Sequence, residues 1–186
     1  MNNKRAIVIG LTGPNASGKG TVAELLQKRG FGLHSLSDIV REEARAAGLT
    51  TGRDHLIVTG NRLRREGGAG VLALRILPRL GSRDVVDSIR NPAEVEALRH
   101  GAKGFFLLGV TASPEIRYAR ALARRRQGDP LGDLEAFLNK EAEENGAGQS
   151  SQRLDATLAL SDEILVNDGG IKELGEALEV LLARLD

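Results

Sequence analysis

The stretch GPNASGKGT, Gly13 to Thr21, constrains this chain more than any other feature. It follows the apolar run Ala6–Leu11 and precedes a segment in which Val22, Leu25 and Leu26 fall on one helical face. Glycine, four residues, glycine and lysine at a strand-to-helix junction describe a phosphate cradle with its supporting context. Small residues let successive backbone N–H groups turn inward, and the helix that follows aims its partial positive charge at the same point. Gly13, Asn15, Ala16, Ser17, Gly18, Lys19, Gly20 and Thr21 are the candidate ATP-binding residues. Lys19 adds an ammonium able to follow charge on a transferring phosphoryl group. Gly20 follows the lysine, so the hydroxyl expected on Mg2+ is displaced to Thr21.

Around this junction, four further strand-length runs alternate with helical patterns: Phe31–Leu36, Asp84–Asp87, Gly104–Val110 and Glu163–Asn167. Alternation of this kind predicts an α/β fold with a mainly parallel sheet covered on both faces. Helices are expected from about Gly20 to Arg29, and around Ile39, Val40 and Ala44 with Ser37 as N-cap. Asn91-Pro92-Ala93-Glu94 spells an N-cap, a first-turn proline and an acid at the third position. Ser113-Pro114 repeats the device, and Ile171–Leu185 closes the chain with leucines at helical spacing. Two or three more helices are expected between Arg41 and Ser82, broken at Gly48, Gly52 and Gly67-Gly68. Arg126–Gly132, RQGDPLG, reads as a linker between helices.

Bulk composition narrows the function. With 186 residues, the chain suits one domain, 1–186. Its net charge of +1 argues against general attraction to nucleic acid or an anionic membrane, and 3% aromatic residues argue against base-stacking platforms. Nucleic-acid binding would rest on an arginine stripe alone. Cysteine is absent, which excludes thiolate chemistry and zinc–thiolate sites, and His34, His55 and His100 show no metal-ligand spacing. No segment has the length of a membrane span or the form of a signal peptide, so a cytoplasmic location is expected. The sequence leaves the oligomeric state open.

Several stretches resemble the P-loop nucleoside monophosphate kinases. GKGT, Gly18–Thr21, is similar to the loop of adenylate kinase and its relatives. SLSDIVREEA, Ser35–Ala44, resembles the D-x-x-R that follows the second strand in that family, and VVDSIRNPAEVEAL, Val85–Leu98, resembles the end of the third strand. SDEILVNDGGIKEL, Ser161–Leu174, is similar to the last strand and adenine-side loop of dephospho-CoA kinases and adenylate-kinase-related proteins. The resemblance covers nearly the whole chain. It implies a three-layer P-loop kinase fold with a five-stranded parallel sheet, a helical acceptor-binding insert at about 37–82 and a short lid at about 120–148.

It also implies residue roles. Arg41 and Arg90 would bind the acceptor phosphate, with Arg62, Arg64 and Arg65 as secondary contacts. Asp87 would hold magnesium, through water, or orient an acceptor hydroxyl, and Asp38 is the other candidate base. Asn167 and Gly169 would pass the adenine, although Asn-Asp-Gly-Gly is also an ordinary turn. Arg117, Arg120 and Arg124 share a helical face, ended by Arg125 and Arg126. The plain reading is a solvated stripe paired with the acids of Asp133–Glu144. The resemblance implies instead that Arg120, Arg124 and Arg125 stabilise transferring charge. The proline–leucine–leucine segment of dephospho-CoA kinases is replaced by Ser88-Ile89-Arg90-Asn91. A nucleoside or deoxynucleoside monophosphate is therefore the expected acceptor, with a dephospho-CoA-type hydroxyl or a non-catalytic sensor as alternatives.

Overall fold

The computed structural model describes residues 6–124, 132–145 and 152–185. All five expected strands form, as β1 (Ile7–Thr12), β2 (Gly32–Ser35), β3 (Arg83–Asp87), β4 (Phe105–Thr111) and β5 (Glu163–Val166). They pair only in parallel, in the order β2-β3-β1-β4-β5. Central β1 is fully buried, and its side chains alternate between two cores. Ile7, Ile9 and Leu11 face a layer with Val22 and Leu26 of α1 (Lys19–Gln27) and Leu178 and Leu181 of α9 (Ile171–Leu185). Val8 faces the other layer, with Ile39 and Val40 of α2 (Leu36–Ala46), Leu72 and Ile76 of α4 (Val71–Ile76), and Val95 of α5 (Pro92–Gly101). The two faces explain why the strands read as apolar runs rather than as strict alternations.

The chain between β2 and β3 also contributes α3 (Arg53–Gly67) and a 3-10 turn, Leu77–Arg79. After β4 come α6 (Pro114–Arg124), α7 (Leu134–Glu144) and the short α8 (Leu154–Leu158). The predicted cap of α5 is present in full: the Asn91 side chain accepts from the Ala93 N–H, and Glu94 returns to the Asn91 N–H. The cap of α2 is shifted. Ser35, in extended conformation, is the N-cap residue, and Ser37 lies inside the first turn. The helix starts as soon as β2 ends because Leu36 is buried beneath it. No helix among the described residues is long and apolar enough to cross a membrane.

Because every strand is parallel, the loops after β1, β3, β4 and β5 emerge at one edge. The strand order reverses beside β1, with β3 on one side and β4 on the other. Open α/β sheets bind ligands in the crevice at such a point.

Candidate functional site

Strand β1 delivers the glycine-rich loop into that crevice. Gly13 has φ +136°, and a Cβ there would collide with the Val110 carbonyl oxygen. Gly18 has φ +103°, and a Cβ there would collide with the Asn167 amide nitrogen. Both motif glycines are therefore required by close approach as well as by backbone conformation. Gly18 is the N-cap of α1, so no side chain caps that helix, and its first turn carries no acid. Its leading N–H groups are left for an anion. Ser17 Oγ is buried and has no partner among the described residues. Thr21 is half-buried on α1, and Gly20 is exposed.

Lys19 Nζ donates to the carbonyls of Gly13 and Pro14 at 2.8 and 2.7 Å, folding back across its own loop. Burial and the neighbouring guanidinium of Arg90, with a smaller contribution from Arg124, lower its pKa from 10.5 to about 7; Asp87 and Glu141 pull the other way. Between these two values the unfolded chain holds a proton that the folded chain lacks, so stability rises with pH across the window. A bound triphosphate would restore the charge. Nucleotide binding at about pH 8.5 is thus expected to take up close to one proton. Calorimetry in two buffers of different ionisation enthalpy measures this uptake, and replacing Lys19 with methionine should abolish it.

The β3–α5 loop supplies the next group of residues. Thr12 Oγ1 donates to the Ile89 carbonyl at 2.9 Å, and the Ile89 N–H donates to Leu11 at 3.2 Å, fastening this loop to the end of β1. Asp87 Oδ2 accepts from Ser88 Oγ at 3.1 Å, whereas Oδ1 is buried without a partner among the described residues. Ser88 has φ +68°, a conformation that costs a non-glycine residue about 1 kcal/mol or more and clusters at functional sites. Arg90 Nη1 donates to Gln152 Oε1 at 2.8 Å. Beside this loop lies a cleft of about 230 Å³, which four arginines (Arg41, Arg64, Arg90 and Arg124) line together with Leu56 and Leu72. Asn15 of the glycine-rich loop lines it too.

The structure brings some expected site residues together and directs others elsewhere. Arg41, Arg64, Arg90 and Arg124 meet at the cleft, but Arg64 is also the buried partner of Glu94, donating through Nε at 2.9 Å and Nη2 at 2.8 Å. Arg62 pairs with Glu66 on the exposed side of α3. Asp38 is exposed, accepts from Arg41 at 2.6 Å and is not among the cleft-lining residues. Its N-cap lies two residues before the expected one, which turns Ser37 toward the cleft and Asp38 toward solvent.

Arg120 donates to the carbonyls of Asn167 and Gly169, at 2.9 and 3.2 Å, so it braces the loop after β5. Asn167 does not present its side chain to solvent. It is buried, and Nδ2 donates to the Ser17 carbonyl at 2.8 Å, propping the phosphate loop from behind. Arg125, like most of the RQGDPLG segment, lies outside the described residues.

Three participants were given no role in the site by the sequence. Glu94 is fully buried; Oε1 accepts from Arg64 and Oε2 from the backbone N–H groups of Arg90 and Asn91. Its capping position was legible, its ion pair was not. Arg117 pairs with Glu141, as the plain reading of the arginine stripe expects, but it is buried rather than solvated. Gln152 meets Arg90 across 62 residues, with no local signal.

The donor set fits a magnesium-bound triphosphate. No cluster of three or more His, Cys, Asp or Glu residues forms a metal cage among the described residues. One buried carboxylate oxygen, on Asp87, with no partner among the described residues, and one hydroxyl, on Thr21, suit an ion that keeps most of its waters and takes its other ligands from phosphate.

Comparison with known proteins agrees with this geometry. Residues 9–145 match the AAA domain family. The chain is 37% identical over 184 residues to the UPF0200 protein of Methanothrix thermoacetophila, covering 96% of this chain and 97% of the relative. Among solved structures, shikimate kinase from Bacteroides thetaiotaomicron aligns with a TM-score of 0.62 at 12% identity, over 95% of this chain and 98% of that one. A gluconokinase from Sinorhizobium meliloti 1021 aligns with a TM-score of 0.58 at 15% identity, over 98% and 95%. These two likenesses establish a shared fold. With its uncapped glycine loop at the reversal point of a parallel sheet, and with sequence identity running nearly end to end, the chain belongs to the UPF0200 protein family and carries an AAA domain.

Proposed function

We propose that this protein transfers the γ-phosphoryl group of Mg-ATP to a small nucleotide acceptor, a nucleoside or deoxynucleoside monophosphate. One observation carries the reading: Asn15 belongs both to the phosphate loop and to the wall of an arginine-lined cleft. Donor and acceptor sites that share a wall allow in-line transfer between them.

In this reading, Gly13–Thr21 cradle the donor phosphates, and Thr21 and Asp87 hold magnesium, which neutralises charge on the phosphates. Lys19 exchanges its loop carbonyls for phosphate oxygens. Arg41 and Arg90 orient the acceptor phosphate, with Arg124 beside the transferring group; Arg64 contributes from its ion pair with Glu94. Residues 37–82 form the acceptor-binding insert, whose Leu56 and Leu72 offer an apolar wall for a base. Of the expected lid, residues 120–124 and 132–145 are described, and their role would be to exclude water. A bond forms from an acceptor phosphate oxygen to the γ-phosphorus as the bond to the bridging oxygen breaks, and no strong base is needed. An acceptor that attacks through a hydroxyl would need one. Asp87, with a buried oxygen that accepts no hydrogen bond among the described residues, fits that role better than exposed Asp38.

A coupled ADP-release assay across nucleoside and deoxynucleoside monophosphates and dephospho-CoA tests the proposal. Turnover that depends on one monophosphate supports it. Turnover only with dephospho-CoA moves the acceptor class, and tight ATP binding with no turnover makes the protein a nucleotide sensor. Arg90→Ala should raise the KM for the acceptor by tenfold or more while changing that for ATP little, as expected for loss of a charge-assisted contact. An equal loss for both substrates would remove Arg90 from the acceptor site.

A further inference from the structure

Helix α7 places a carboxylate on the phosphate loop. Glu141 Oε1 accepts the backbone N–H of Asn15 at 3.1 Å. Arg117 Nη1 lies 2.6 Å from both Glu141 oxygens and donates to the Asn15 carbonyl at 3.3 Å. Arg124 Nη2 donates to Asn15 Oδ1 at 2.8 Å. Side chains of α6 and α7 therefore engage this one loop residue at its amide, its carbonyl and its side chain.

The location of Asn15 gives the contact its meaning. The uncapped amides at the start of α1 suit the inner phosphates of a nucleotide. The terminal phosphate must extend from there toward the acceptor cleft, and Asn15 is the loop residue that lines that cleft. It also lines a smaller recess together with Glu141, Arg90 and Gln152. A terminal phosphoryl group would thus meet the Asn15 N–H, Lys19 and the nearby guanidinium groups. Glu141 already satisfies the amide and one guanidinium, and its negative charge favours the protonated form of Lys19. A carboxylate and a phosphoryl group compete for the same kinds of donor.

We infer that Glu141 is a resident substitute for the terminal phosphoryl group, displaced by a nucleoside triphosphate but not by a diphosphate. The inference rests on the nucleotide-binding reading above and adds to it a residue that sets the discrimination between ATP and ADP. Displacement need not unseat α7. That helix is anchored one turn earlier by Phe137, which is fully buried against Tyr118 and under the Arg117 guanidinium at 5.5 Å. It would, however, disturb the neighbouring Lys140, which reaches Asp54 of α3 at 3.6 Å. Filling the donor site would in this way be felt in the acceptor insert. A ligand shifts such an equilibrium only by its differential affinity for the two states, so the third phosphate has to carry the effect.

Glu141→Gln keeps the shape of the side chain and removes its charge. Calorimetry with magnesium should show the variant binding a non-hydrolysable ATP analogue about tenfold more tightly than the wild type, the scale of one hydrogen bond to a charged group. ADP affinity should stay within about twofold. An equal change for both nucleotides, or none, would reduce Glu141 to a counterion for buried Arg117 and overturn the proposal. Hydrogen exchange on the wild-type protein gives a second reading that does not depend on a variant folding. The ATP analogue should increase exchange in residues 134–144, and ADP should not; identical responses to both nucleotides would also overturn it. If neither nucleotide binds wild type or variant, the nucleotide-binding reading itself falls and takes this inference with it. A failed ATP-to-ADP contrast with binding intact removes the inference alone.

Discussion

Replacing Lys19 with alanine should lower phosphoryl transfer about 10²–10³-fold, the loss seen when one preorganised donor to a developing charge is removed. The melting temperature should stay level or rise. In the free protein the amine is partly buried beside the Arg90 and Arg124 guanidinium groups, which with burial outweigh Asp87 and Glu141 and draw its pKa down to about 7, so the folded state holds its charge less readily than the unfolded chain does. The two carbonyls it satisfies belong to Gly13 and Pro14, beside an open cleft where water can replace it. Unchanged turnover in a folded variant would remove Lys19 from the reaction. A large fall in melting temperature would instead show that its loop contacts are structural.

The largest loss of stability is expected from Glu94→Ala. This side chain is fully buried and accepts four hydrogen bonds: two from Arg64, and one each from the backbone N–H groups of Arg90 and Asn91. Removing it leaves the Arg64 guanidinium, only 4% exposed, without its counterion, and opens the first turn of α5. Breaking a buried pair by deleting one partner costs about 3–5 kcal/mol, which in a domain of this size lowers the melting temperature by roughly 10 °C. Thermal denaturation followed by circular dichroism measures it. A shift of only a degree or two would mean that water reaches Arg64 and that the pair is not dry. Because Glu94 also holds the backbone beneath Arg90, surviving protein should bind acceptor more weakly.

The features legible in the sequence are those written within a few consecutive residues. The five strands were found within one or two residues of their ends because each is a short apolar run bounded by polar or glycine positions. The start of α5 was legible because a capping box lies within four residues. The phosphate loop was legible for a similar reason, since its strand, its glycines and its helix are contiguous. Where a local signal was ambiguous, packing decided. Ser37 and Ser35 are both acceptable caps, and the burial of Leu36 selected the earlier one.

The site as a whole is not local. Asn167 supports Ser17 from 150 positions away, Glu141 reaches Asn15 across 126 and Gln152 reaches Arg90 across 62. None of these pairs has a periodicity or a spacing to betray it. Even within the arginine stripe, spacing showed that Arg117, Arg120 and Arg124 share a face but not what each meets. Arg117 enters a buried pair with Glu141, Arg120 turns to the carbonyls after β5, and Arg124 reaches Asn15.

By itself, then, the sequence determined a glycine-rich strand-to-helix turn and an alternating α/β order, because backbone conformation, helix capping and side-chain periodicity act over a single turn or strand. Only the tertiary structure decided which carboxylate neutralises which arginine and which side chain rests on the loop. Those pairings depend on how closely separate elements pack, and on the low dielectric that makes an unpaired buried charge too costly to leave alone.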